Sequence, residues 1–239
     1  NACYGYFMLP ESLPPDKRMQ FRWARANPIG SLVLLRSHHE LFGLATVAFF
    51  GYLAHAVLPS VSVLYMGYRY GWGPASVGLM MAGVGLAAMI VQGGLIRSIT
   101  VRFGERRTLL LGLLCGAVGF SVYGIAPEGW IFCLGIPVMA FWGLAGPSNQ
   151  ALMTRHISSS EQGQLQGAIA SINGMTGMIG PTLFAQTFAF FIRSDFPLNP
   201  QHSSLSTSME FPGAPFVLAS LMLFTAAVIA WRTTKARGS

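Results

Sequence analysis

Charge is what this sequence has least of. Only 10% of its 239 residues are Asp, Glu, Lys or Arg, and only eight are acidic. A soluble domain carries about 25% charged residues, so this chain cannot build the polar shell that a soluble core of its size needs. The acidic residues Glu11, Asp16, Glu40, Glu105, Glu128, Glu161, Asp195 and Glu210 all fall in connections or at the ends of apolar runs. No carboxylate is therefore placed inside an apolar block, either for Asp-based proteolysis in a membrane or for carrying a proton through one. Cysteine is nearly as scarce. Cys3, Cys115 and Cys133 lie far apart without CxxC spacing, which excludes a disulfide framework or a metal knuckle and leaves Cys115 and Cys133 as small apolar side chains.

Other absences narrow the chemistry. His39-Glu40 continues as Leu-Phe-Gly, so there is no HExxH. Ser148 in AGPSNQ has no later His inside an apolar block, because His156 and His202 lie in connections. An intramembrane enzyme is therefore a remote alternative. The Gly-rich stretch MMAGVGLAAM has no following Lys-Ser or Lys-Thr, so it reads as helix packing rather than a phosphate cradle. No cofactor is expected, and an ion gradient rather than ATP is the expected energy source. There is also no initiator Met and no cleavable signal segment. NACYGYFMLPESLPP instead reads as the tail of an apolar helix stopped by Pro10, so the expectation is a fragment of a longer chain.

What the sequence does have is apolar length. Hydrophobic residues make up 52% of it, gathered into six blocks: Leu41 to Leu64, Ala75 to Ile96, Thr108 to Ala126, Trp130 to Met153, Gln166 to Phe191, and Ala214 to Trp231. Each approaches or exceeds the roughly 20 residues that a helix needs to span a bilayer. A spanning strand needs about ten and alternates apolar with polar, whereas LLLGLLCGAVGF does not alternate. Helices also satisfy their own backbone groups where lipid cannot. The reading is an all-α membrane protein of six transmembrane helices. Residues 1–9 would end a preceding helix, 10–40 form a central cytoplasmic loop, 41–231 the bundle and 232–239 a cytoplasmic tail.

The fifteen basic residues test that division. Lys17, Arg18, Arg22, Arg25, Arg36, Arg97, Arg102, Arg106, Arg107, Arg155, Arg232, Lys235 and Arg237 fall in one alternate set of connections, and only Arg69 and Arg193 in the other. By the positive-inside rule the first set and the C-terminus are cytoplasmic. Tyr65, Tyr68, Tyr70, Trp72 and Trp130 at block ends suit the opposite interface. The net charge of +7 thus reflects membrane orientation rather than nucleic-acid binding.

The turn in GGLIRSITVRFGERRTLLLG carries Arg102, Gly104, Arg106 and Arg107, and Gly104 permits a positive φ. With its surroundings it resembles the loop motif of the major facilitator superfamily, which joins the second and third helices of each six-helix half. The first-half version has an Asp where this chain has Val101. FMLPESLPPDKR is similar to the end of the sixth helix and central loop of drug:proton antiporters of the tetracycline-resistance type. AHAVLPSVSVLYMGYRYGW resembles their seventh helix, and EQGQLQGAIASINGMTGMIGP the approach to their eleventh helix and that helix itself. The resemblance covers nearly the whole chain. It implies the C-terminal half of a twelve-helix efflux transporter in a bacterial inner membrane, with an amphipathic drug, protons, lipid and a missing N-terminal six-helix half as partners. The coupling acids would lie largely in that other half. A self-pairing half-sized transporter or membrane scaffold is the alternative.

Polar side chains within apolar blocks are the candidates for lining a pathway, since lipid leaves them unsatisfied. His55 is the ionisable group well inside a block; interhelical bonding is its competing role. Trp142, Gly146, Asn149 and Met153 share one helix face, with Pro147 expected to kink that helix. Asn173, Thr176 and Gly180 share another, while Gly163, Gly167, Gly174, Gly177 and Gly180 are expected to serve close helix packing. Met81, Gly85, Met89 and Gln92 share a face of the second block, as an adaptable drug-facing wall or as core.

Overall fold

The computed structural model describes residues 34–35, 39–192 and 210–235. The expectations for residues 1–9, most of 10–40 and the end of the tail lie outside them. Every regular element among the described residues is helical. In chain order these are α1 (His39–His55), α2 (Val57–Tyr70), α3 (Pro74–Met89), a π turn (Ile90–Leu95) and α4 (Ile96–Ile125). They continue with α5 (Gly129–Ala140), a 3-10 turn (Phe141–Leu144), α6 (Ala145–Thr154), a 3-10 turn (Ser159–Glu161), α7 (Gln162–Phe191) and α8 (Ala214–Lys235).

Four helical stretches are long and apolar enough to cross a membrane: Glu40–Tyr70, Pro74–Ile125, Gly129–Thr154 and Ala214–Thr234. The 52 residues of the second would extend about 78 Å as one straight helix, more than twice the hydrocarbon thickness. It is two helices meeting at Gly104, whose φ of 76° and ψ of 160° are not helical. Only glycine occupies that region without strain. Gly104→Ala should therefore cost about 1–3 kcal/mol, read as a lower melting temperature in detergent, although no atom lies within 4 Å to clash with the new methyl. The 30 residues of α7 are not among the four stretches. They carry Gln162, Gln164, Gln166, Ser171, Asn173 and Gln186, which dilute the apolar run.

The helices are held at both ends. α8 packs most extensively on α4 and α1. At one end Tyr65, Phe120, Tyr123, Phe132 and Phe216 form an aromatic knot contributed by α2, α4, α5 and α8, with Tyr123 and Phe132 stacked 4.1 Å apart and Phe216 4.9 Å from Tyr65. The Tyr65 hydroxyl donates to the Tyr123 carbonyl at 2.8 Å, and Tyr70 to the Ala126 carbonyl at 3.0 Å. These bonds occupy backbone acceptors near the end of α4, which lacks a following turn to use them. At the other end Arg155 pairs with Glu105 at 2.8 Å and His156 with Glu40 at 3.1 Å. There Arg106 Nε donates to Thr234 Oγ1 at 2.9 Å.

Close backbone approach is concentrated on α4 rather than on α7. A methyl group at Gly112 would lie 2.8 Å from the Ala145 nitrogen, and one at Gly116 2.7 Å from the Leu223 side chain. On α7, Gly180 does press against Ala56, but Gly163, Gly174 and Gly177 have nothing within 4 Å. Those three are exposed and meet no packing partner among the described residues.

Candidate functional site

A cleft of about 750 Å³ is lined by residues of every helix from α1 to α7, α4 contributing Leu109, Leu113 and Tyr123. His55 reaches it from the last residue of α1, where the helix breaks at Ala56 before α2 begins. Gln92 reaches it from the π turn, and Trp142 from the 3-10 turn. Asn149 and Gln150 line it from α6, and Asn173 from α7. Five of the six pathway residues expected from the sequence thus meet at one site.

Two of the lining rings lie side by side. The His55 and Trp142 centroids are 5.6 Å apart, tilted by 41°, and Trp142 lies 5.3 Å from Phe120, whose ring joins the aromatic knot. Asn149 is 6% exposed. Its Nδ2 donates to the Leu44 carbonyl at 3.1 Å, fastening α6 to α1, while its Oδ1 is buried with no partner among the described residues. The Leu44 carbonyl dictates that orientation: a flipped amide would set two acceptors against each other.

The sixth residue, Thr176, does not reach the cleft. It is 1% exposed, and its hydroxyl donates back to the Ile172 and Asn173 carbonyls of its own helix at 3.1 and 3.0 Å. Sharing a helix face with Asn173 was too coarse a criterion, since three residues of separation is about 300° of rotation and leaves the two side chains offset. Met81 and Met89 are also not among the cleft's lining and are 50% and 64% exposed on α3; Val84 and Ala88 line it instead. The expected distortion near Pro147 is found as the 3-10 turn at Phe141–Leu144. Pro147 has no N–H to offer the Gly143 carbonyl one turn back, and the ladder tightens there.

Tyr52 and Gln150 also line the cleft and were not anticipated. Tyr52 stands one turn before His55, and Gln150 follows Asn149, so helical spacing from the polar residues already chosen would have found the first. Among the described residues, none that lines the cleft is Asp, Glu, Lys or Arg. This wall can offer aromatic faces, carboxamides, hydroxyls and an imidazole, and can bind the uncharged parts of a ligand.

Arg102, Gly104, Arg106 and Arg107 lie away from the cleft, at the ion-paired end. Arg102 and Arg107 are exposed, with the Arg102 guanidinium 5.8 Å above the Phe103 ring centre. Arg106 is held by Thr234.

The family model for the Major Facilitator Superfamily matches residues 3–181 and 41–238 of the chain. The human hippocampus abundant transcript-like protein 1 is 28% identical over 100% of this chain and 49% of its own length. The class C tetracycline resistance protein of Escherichia coli is 28% identical over 79% of the chain and 48% of its own length. The class G protein of Vibrio anguillarum is 33% identical over 67% and 42% respectively. The chain thus spans about half the length of the curated relatives it matches. In three dimensions it is similar to the crystal structure of the human organic anion transporter MFSD10 (TETRAN), with a TM-score of 0.72 over 93% of this chain and 52% of that one. At 20% identity this last likeness concerns the fold alone. Family and fold point to a multi-pass membrane transporter rather than an enzyme, and the chain belongs to the Major Facilitator Superfamily.

Proposed function

We propose that this chain is the C-terminal six-helix half of a secondary transporter that exports amphipathic, tetracycline-like drugs in exchange for protons. Six spans follow if the long helical stretch is divided at Gly104 and α7 is counted with the rest. The tetracycline-resistance relatives support the cargo and a bacterial inner membrane, and the distribution of basic residues supports a cytoplasmic C-terminus. An N-terminal half closes the pathway in this reading, with the cleft as one wall near the midplane, as in transporters built from repeats. No carboxylate lines the cleft among the described residues; in this reading the proton-carrying acids belong to the other half, and the reading calls for no cofactor.

The observation that carries this reading is the convergence on one cleft of His55, Gln92 and Trp142, each at an irregular point in its helix, with Asn149 and Asn173 from regular helix. The test is proton-driven tetracycline uptake into everted membrane vesicles by the protein with its upstream sequence. Trp142→Ala should raise the KM about tenfold, the loss of one aromatic contact with its buried area. An unchanged KM would remove the cleft from the transport path. Uptake by residues 1–239 alone would replace the half-transporter reading with a self-pairing one.

A further inference from the structure

The π turn at Ile90–Leu95 and the 3-10 turn at Phe141–Leu144 pack against each other. Their contact is specific. A methyl group at Gly143 would come 2.7 Å from Gln92 Nε2 and 3.1 Å from both Cδ and Cγ, and these are its three nearest atoms. Gly143 is not one of the two described glycines with positive φ, which are Gly71 and Gly104. Its backbone is therefore open to any residue, and what the missing side chain supplies is space. That space is filled by the Gln92 carboxamide.

We propose that Gly143 is a positioning residue for ligand recognition: the notch it leaves seats the Gln92 carboxamide at the wall of the cleft, where it hydrogen-bonds an uncharged polar edge of the ligand. The inference rests on the reading of the cleft as the ligand site. A carboxamide offers two donors and an acceptor without charge. It suits a keto, enol, hydroxyl or amide edge on a flat molecule whose ring lies against Trp142, the residue next to the notch. The π turn contributes by carrying Gln92 at the level of the 3-10 turn, as irregular turns at functional sites commonly do. An alanine at 143 leaves the helix intact and pushes the flexible carboxamide off its seat into the cleft, so recognition changes while stability does not.

The experiment is a double-mutant cycle in the protein with its upstream sequence, reading KM and kcat for proton-driven tetracycline uptake in everted vesicles and the melting temperature in detergent. Gly143→Ala and Gln92→Ala should each raise KM about fivefold, the loss of one hydrogen bond, with kcat within about twofold. The combined variant should also stand about fivefold above the parent, since both changes remove the same contact. Gly143→Ala should melt with the parent. An unchanged KM for Gly143→Ala, or a combined effect multiplying to about 25-fold, would overturn the proposal while Trp142→Ala still raises KM. If Trp142→Ala has no effect either, or the parent shows no saturable tetracycline uptake, the drug-binding reading of the cleft falls and this inference with it.

Discussion

Gly213→Ala is expected to destabilise the protein by about 3 kcal/mol or more, beyond the usual range for overpacking. The reason is geometric. The new methyl would sit 1.8 Å from the Gly124 carbonyl oxygen, 2.6 Å from its carbon and 2.9 Å from its Cα. All three are backbone atoms, so no side-chain rotation relieves the clash. Only separation of α8 from the end of α4 would do so. That separation is resisted by Phe216, three residues on, which is fully buried among Tyr65, Phe120, Tyr123 and Phe132. Thermal unfolding in detergent is the measurement. Gly174→Ala serves as the control, because nothing lies within 4 Å of that site and alanine is about 1 kcal/mol better than glycine in a helix. If both variants melt with the parent, the close approach of α4 and α8 is wrong.

Phe216→Ala should have the next largest effect. In soluble cores Phe→Ala costs about 3–5 kcal/mol. About 3 kcal/mol is expected here, the low end, because lipid is as apolar as the vacated site and the loss is chiefly of packing. Phe216 is 0% exposed and within 4.9–6.4 Å, centroid to centroid, of four other rings. Phe216→Leu should recover more than half of the loss by refilling the volume. Equal melting temperatures for the alanine and leucine variants would mean that volume is not what Phe216 contributes.

Much of this architecture was legible because bilayer thickness and backbone hydrogen bonding leave few choices. The six apolar blocks each fall on described helices, and the break between the third and fourth blocks coincides with the gap between α4 and α5. The positive φ of Gly104 is likewise where a lone glycine amid arginines suggested a turn. The irregular turns were less visible. A π turn at Ile90 and a 3-10 turn at Phe141 depend on neighbouring helices; only Pro147 gave a local signal, and it marked the turn after the distortion. Faces were the weakest inference. The residues of α3 are apolar on nearly every side, so periodicity could not say whether Met89 or Ala88 turns inward. Nor could it say that Gly124 and Gly213, 89 positions apart in the sequence, touch through their backbones.

The placement of those irregular turns has a mechanical consequence. The aromatic knot clamps one end of the helices and the ion pairs with the Arg106–Thr234 bond clamp the other. Between the clamps, the helix ladders are interrupted at Ala56, Ile90–Leu95 and Phe141–Leu144, all bordering the cleft. Bending costs least where regular α-helix gives way to another geometry, which places the compliant part of these three helices beside the cleft and away from either clamped end.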